Sequence, residues 1–107
     1  SMAAGLPEGN YKLGVNDVVV VDGVAKLATD GTRAGSTLTT GKALKNLLEF
    51  TGRSLTDIIP MLTENPARLI GVYDRVGSIE PGKDADLVFL DEECNVVRTF
   101  VKGKECY

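Results

Sequence analysis

With no histidine anywhere in its 107 residues, this chain would have to do chemistry with carboxylates, lysines, arginines, hydroxyls or its two cysteines. Imidazole is the commonest metal ligand and the commonest general base near neutral pH. A histidine-liganded zinc hydrolase, a Ser–His–Asp triad and a Cys–His pair are therefore excluded within these residues. A carboxylate site would need Asp and Glu at ligand spacing on one element, and no such cluster is present. Glu92-Glu93 after Asp91 reads as a solvated turn. Cys94 and Cys106 stand singly, without C-x-x-C spacing, as in a reduced cytosolic protein rather than a disulfide or metal pair. The stretch Gly35-Ser-Thr-Leu-Thr-Thr-Gly41-Lys42 approximates a phosphate-binding P-loop. It has five residues between the glycines where the motif needs four, and Ala43 replaces the required Ser or Thr, so nucleotide binding is not expected.

Composition narrows the field further. A 43% hydrophobic content can furnish a small core, and the net charge of −3 is mildly acidic. Lys and Arg are scattered rather than massed, so no nucleic-acid footprint is expected. No apolar run approaches the roughly 18 residues of a membrane span, and residues 1–5 do not read as a secretory signal. These features point to a cytoplasmic location.

The secondary structure that would hold a site falls into three parts. Residues 11–29 predict a β-hairpin: VVVV at 18–21, a two-residue type I′ turn at Asp22-Gly23, and a return through VAKL at 24–27. The continuous apolar run implies a strand covered on both faces, which a lone hairpin cannot supply. Residues 5–10 read as loop before it, and DGTRAGS at 30–36 as a second turn and loop. Thr39 or Thr40 then caps a helix reaching about Thr51, with Leu44, Leu47 and Leu48 as its apolar stripe and Gly52 as its stop. Ser54 opens a second helix, with Asp57 completing a capping box and Ile58, Ile59 and Leu62 buried. Pro60 lies deep enough to bend that helix or shift its start. Asn65 caps a further turn with Pro66 at its first position, and Leu69 and Ile70 pack before Gly71. From Val76 the pattern turns to β: a short strand at 76–79, a turn at 80–83, a buried strand at 85–90, its partner at 96–101, and a turn at Gly103. The content is α+β.

Three motifs carry a family resemblance across essentially the whole chain. GLPEGNYKLG (5–14) leads into the hairpin, DGTRAGSTLT (30–39) forms the loop and the approach to the first helix, and NPARLIG (65–71) is followed by GSIEPGKDADLVFLD (77–91). Together they resemble the C-terminal part of the N-acetylglucosamine-6-phosphate deacetylase family of amidohydrolases. The last motif is shared widely among amidohydrolases; the first two single out the deacetylases. The resemblance implies a TIM-type (β/α)8 barrel beside a small β-sandwich. Residues 1–72 would be the closing portion of the barrel and residues 73–107 the terminal strands of the sandwich. It implies an enzyme that hydrolyses N-acetylglucosamine 6-phosphate to glucosamine 6-phosphate and acetate. A divalent metal, zinc or similar, would lower the pKa of a bound water.

The resemblance also assigns parts. The proton-transfer Asp of the family would stand immediately before Ser1, so no catalytic residue and no metal ligand is expected in the chain itself. Whether Ser1 and Met2 are native does not alter that position. Thr29-Asp30 also reads Thr-Asp after a strand, but Gly31 makes Asp30 a turn residue. Arg33, Ala34 and Gly35 are the expected substrate-binding positions, through backbone groups that contact the amino sugar; Gly35 has no Cβ to keep a ligand away. Arg33 stands where the family often has an apolar residue. The phosphate and metal would be held by Arg, His and Glu residues outside this chain. Isolated from the rest of a barrel, the chain is expected to be inactive and to self-associate through uncovered apolar faces. Two other readings fit less of the sequence: part of another amidohydrolase, such as a cyclic-amide hydrolase or deaminase, or a non-catalytic β-rich interaction module.

Overall fold

The computed structural model describes residues 3–107. It contains two small antiparallel sheets and three helices, in two compact units that divide between Thr39 and Thr40. The expected positions of Ser1 and Met2 lie outside the described residues.

In the first unit, β1 (Gly9–Leu13), β2 (Asn16–Val21) and β3 (Val24–Leu27) form a sheet in that order. Asp22 and Gly23 both have positive φ, 51° and 68°, as the type I′ turn requires. The Asp22 N–H is held by Glu8 Oε1 at 2.8 Å. Alternation then sorts the side chains. Val18, Val20, Ala25 and Ala34 are buried with Ala3, and Tyr11 and Leu27 pack against them. One expectation fails here: the sheet begins at Gly9, so the hairpin is three-stranded and residues 9–10 are strand rather than loop. Along residues 18–21, Val18 and Val20 are buried, while Val21 is 42% exposed, in keeping with a hairpin that cannot cover both faces by itself. Antiparallel neighbours on either side fill the backbone hydrogen bonds of β2, but the described residues cover only one of its faces.

In the second unit, α1 (Thr40–Thr51) buries Leu44 and ends where the Gly52 N–H reaches Leu48 O, with Gly52 at φ 62°. α2 (Leu55–Leu62) starts at a complete capping box. Asp57 N–H donates to Ser54 Oγ at 3.3 Å, and Ser54 N–H returns to Asp57 Oδ2 at 3.2 Å. Pro60 sits inside this helix without shifting its start. α3 (Glu64–Leu69) follows after Thr63, so Asn65 is not its cap and Pro66 is its third residue, where the N–H has no intrahelical acceptor to lose. Leu69 and Ile70 do not pack against the described residues; they are 87% and 72% exposed. Ala67 and Ile58 take the buried positions instead.

The predicted strand at 76–79 is absent. The N–H groups of Arg75 and Val76 bond Val72 O, and Gly77 adopts φ 96°, so the chain turns rather than extends. That turn belongs to a clasp built from the shared tail motif. The Tyr73 ring is contacted by the Arg68 guanidinium at 3.6 Å and the Lys83 ammonium at 3.5 Å. Lys83 also donates to Ser78 Oγ at 2.7 Å. Arg75 pairs with Asp84 at 2.6 Å, and Asp86 accepts the Lys102 N–H at 2.7 Å. Much of GSIEPGKDAD thus has a structural job. The second sheet is β4 (Leu87–Leu90), β5 (Val96–Val101) and β6 (Lys104–Glu105). β4 is shorter than predicted and not buried: Val88 is 57% exposed on an edge strand.

Two stability effects follow from these hydrogen bonds. Ser54→Ala should cost about 1 kcal/mol, read as a lowered urea midpoint, with Ser54→Asp restoring most of it. An unchanged midpoint in the alanine variant would show that the box contributes nothing. Acid should also destabilise the chain. Asp57 is held below the ordinary carboxylate range by the Ser54 hydroxyl and N–H, Glu80 by the Ser78 hydroxyl, and Asp91 by the Asn95 side-chain amide. Glu105 is held there by the Arg98 guanidinium, and Asp30 by the Thr32 N–H. Each binds its proton less readily folded than unfolded. Their contribution is complete above the ordinary carboxylate pKa, about 4, and is lost as pH falls through the lower folded values. Urea midpoints should be flat between about pH 5 and 7 and fall below about pH 4; a midpoint that rises on acidification would contradict this origin.

Candidate functional site

After β3 the chain reverses through Ala28, Thr29, Asp30 and Gly31. The Asp30 carboxylate accepts the Thr32 N–H at 2.9 Å, and the Gly31 N–H donates to Leu27 O at 3.0 Å. Asp30 is therefore a turn residue. Beyond the turn, the Leu27 N–H reaches Thr32 O at 2.7 Å and the Ala34 N–H reaches Ala25 O at 2.8 Å. These bonds flank an antiparallel bridge between Lys26 and Arg33. Within such a wide pair, each residue's own N–H and C=O point away from the other. Those of Lys26 face its partner Val19 in β2. Those of Arg33 point to the open edge of the sheet, and no partner for them or for the guanidinium occurs among the described residues.

The three predicted binding positions are adjacent but unequal. Arg33 and Gly35 are exposed, whereas Ala34 is buried and its N–H is already bonded to Ala25. Gly35 adopts φ 93°, and a Cβ built there would meet nothing within 4 Å. Its main chain is open to a ligand, and a substituent would be opposed by backbone conformation rather than by a neighbour. The Ser36 hydroxyl accepts the Leu38 N–H at 3.0 Å, and the Thr37 hydroxyl donates to Gly23 O. Lys26 was not singled out from sequence. Counting back across the Asp30-Gly31 turn, from 33 to 26, is the signal that would have found it.

Open grooves occur in both units among the described residues. In the first, ≈ 540 Å³ lies between Leu6, Pro7, Val20, Gly23 and Thr37. In the second, ≈ 250 Å³ lies beside the start of α1, lined by Lys42, Lys45, Cys94 and Asn95. Lys45 donates to the Asn95 side-chain oxygen there, and Asn95 donates in turn to Asp91. Glu92 and Glu93 are exposed in the β4–β5 turn, with the Glu93 N–H bonded to Asp91. Among the described residues, no group of three or more His, Cys, Asp or Glu side chains could hold a metal ion. A divalent ion has no donor set here, and no hydrolytic step is assigned to these side chains. No described helix is long and apolar enough to cross a membrane.

The amidohydrolase family model matches residues 4–106, and the chain belongs to that family.

The narrower resemblance also holds. The chain is 43% identical over 101 residues to the N-acetylglucosamine-6-phosphate deacetylase of Bacillus subtilis, covering 94% of this chain and 25% of that protein. It is 39% identical over 102 residues to the N-acetylgalactosamine-6-phosphate deacetylase of Escherichia coli O157:H7, covering 95% of this chain and 27% of that one. The crystal structure of the Thermotoga maritima N-acetylglucosamine-6-phosphate deacetylase superposes with a TM-score of 0.81 at 46% identity, covering 96% of this chain and 28% of that one. The chain thus spans about a quarter of the length of these relatives.

Proposed function

We propose that this chain is the substrate-loop and terminal-sheet portion of a cytoplasmic deacetylase that hydrolyses N-acetylglucosamine 6-phosphate to glucosamine 6-phosphate and acetate. The observation that carries the reading is the 43% identity to a deacetylase over 94% of the chain. The outward main chain at Arg33 and the open main chain at Gly35 agree with it. Arg33, Ala34 and Gly35 bind the sugar through backbone groups. For Ala34 only the carbonyl is left, since its N–H is bonded to Ala25. Residues 1–72 belong to the barrel of such an enzyme and residues 73–107 to its sandwich. The metal donors and the proton-transfer carboxylate come from the length of the relatives that this chain does not span.

The test is acetate release by the enzyme containing this chain. Wild type should turn over N-acetylglucosamine 6-phosphate, and Gly35→Val should lower kcat/KM by roughly 10-fold or more by keeping the sugar off the main chain. Unchanged kinetics in that variant would remove the loop from the pocket, and no turnover by wild type would remove the activity. The 39% identity to a galactosamine-type deacetylase favours assaying the 4-epimer in parallel. The 107 residues alone should give no turnover with added zinc; measurable turnover would overturn the division of labour.

Alone, the chain should also self-associate. Phe50, Leu69, Ile70 and Ile79 are each more than 70% exposed, and apolar surface of this kind finds a partner. Sedimentation should show concentration-dependent dimers or larger species, and a monodisperse monomer at high concentration would refute it.

A further inference from the structure

We infer that Lys26 and Arg33 together form an oxyanion site, for a phosphate group, at the open edge of the first sheet. The two are a wide antiparallel pair, so their side chains leave the same face of the ladder from Cα atoms about 4.5 Å apart. Like charges directly opposite one another repel. Here nothing among the described residues offsets them: neither side chain has an acidic partner, and both are exposed. The neighbouring carboxylates are engaged elsewhere. Asp17 pairs with Lys12 at 2.9 Å, Glu8 holds the Asp22 N–H, and Asp30 holds the Thr32 N–H. The Arg33 N–H adds an unpartnered donor at the same edge. Two cations and a free amide within one residue pair match a tetrahedral, multiply charged oxyanion, since guanidinium and amide donors bond phosphate oxygens with directional geometry. Bound phosphate would also relieve the repulsion that the bare pair carries. The site goes beyond the backbone contact proposed for the sugar, because it uses side chains on the outer face of the sheet.

The experiment is an amide-resolved NMR titration of the enzyme containing this chain, labelled selectively at lysine and arginine, with inorganic phosphate, and with sodium chloride at matched ionic strength as control. The Lys26 and Arg33 amide signals should shift saturably, with a midpoint on the order of 1–10 mM. Arg33→Ala and Lys26→Ala, both exposed positions, should each weaken binding by roughly 5- to 10-fold, with Arg33→Lys losing less. Shifts that are linear and equal in chloride, or saturable shifts that survive Arg33→Ala, would overturn the site. A parallel titration with glucosamine 6-phosphate identifies the source. A midpoint equal to that of phosphate assigns a site for the phosphate group alone, and one roughly 10-fold lower makes the pair a rim of the sugar-phosphate pocket. Failure of this titration leaves the acetate-release assay unaffected, so the two readings fall separately.

Discussion

Gly77→Ala should destabilise the second unit by about 3 kcal/mol or more, enough to lower its urea midpoint by 1 M or more at slopes of roughly 1–3 kcal/mol/M. Two costs add. A Cβ at Gly77 would lie 2.8 Å from Ala67 Cβ, 3.2 Å from Thr63 O and 3.3 Å from the Tyr73 ring, and two of those atoms have no freedom to withdraw. The backbone angle of 96° is also one that L-residues rarely adopt. The pair of variants Gly77→Ala and Gly71→Ala separates these costs. Gly71 also has a positive φ, of 72°, but a Cβ there would meet nothing within 4 Å. Gly71→Ala should therefore show only the conformational part, about 1–2 kcal/mol. Equal losses in the two would mean that close packing on Ala67 contributes nothing.

Ile58→Ala should have an effect of the same order, between about 2 and 5 kcal/mol. Ile58 is 0% exposed and one of the two largest fully buried side chains. It sits one residue past the capping box of α2, so a helix with intact caps would remain while its packed face is emptied. Ile58→Val removes one methylene and should cost only about 1 kcal/mol, which fixes the expected order of midpoints. A loss below about 1 kcal/mol in the alanine variant would show that the helices collapse around the vacancy and that the core is not rigidly built.

The elements most legible in the sequence were those set by short-range rules. Asp22-Gly23 announced its turn because few dipeptides tolerate two successive positive φ angles. Ser54 with Asp57, and Gly52 after Thr51, announced helix ends through hydrogen bonds that span three or four residues. The misreadings came where an apolar residue was equated with a buried one. Leu69, Ile70 and Val88 are apolar and exposed, because periodicity registers which face is hydrophobic and not whether anything within the same chain covers it. The strand expected at 76–79 failed for a related reason. Its Val and Ile favour extension, but Gly77 has to approach Ala67 closely, and a contact ten residues away is invisible to a local window. For the candidate site, the loop 33–35 came from a family resemblance; the structure leaves Arg33 and Gly35 exposed and buries Ala34. Its neighbour Lys26 depended on strand pairing, which only the register reveals.

The bridge between Lys26 and Arg33 gives the connection between them a meaning beyond its composition. Because successive side chains leave opposite sides of an extended segment, removing any one of residues 28–31 would swap the assignments downstream. A guanidinium would be aimed at the space beside Ala25, and the methyl of Ala34 would be presented to water. The number of residues in this reversal is therefore as much a determinant of the surface displayed at its far end as the identity of the residues displayed. Variants that change its length by one residue should be read as inversions of that surface rather than as adjustments of a linker.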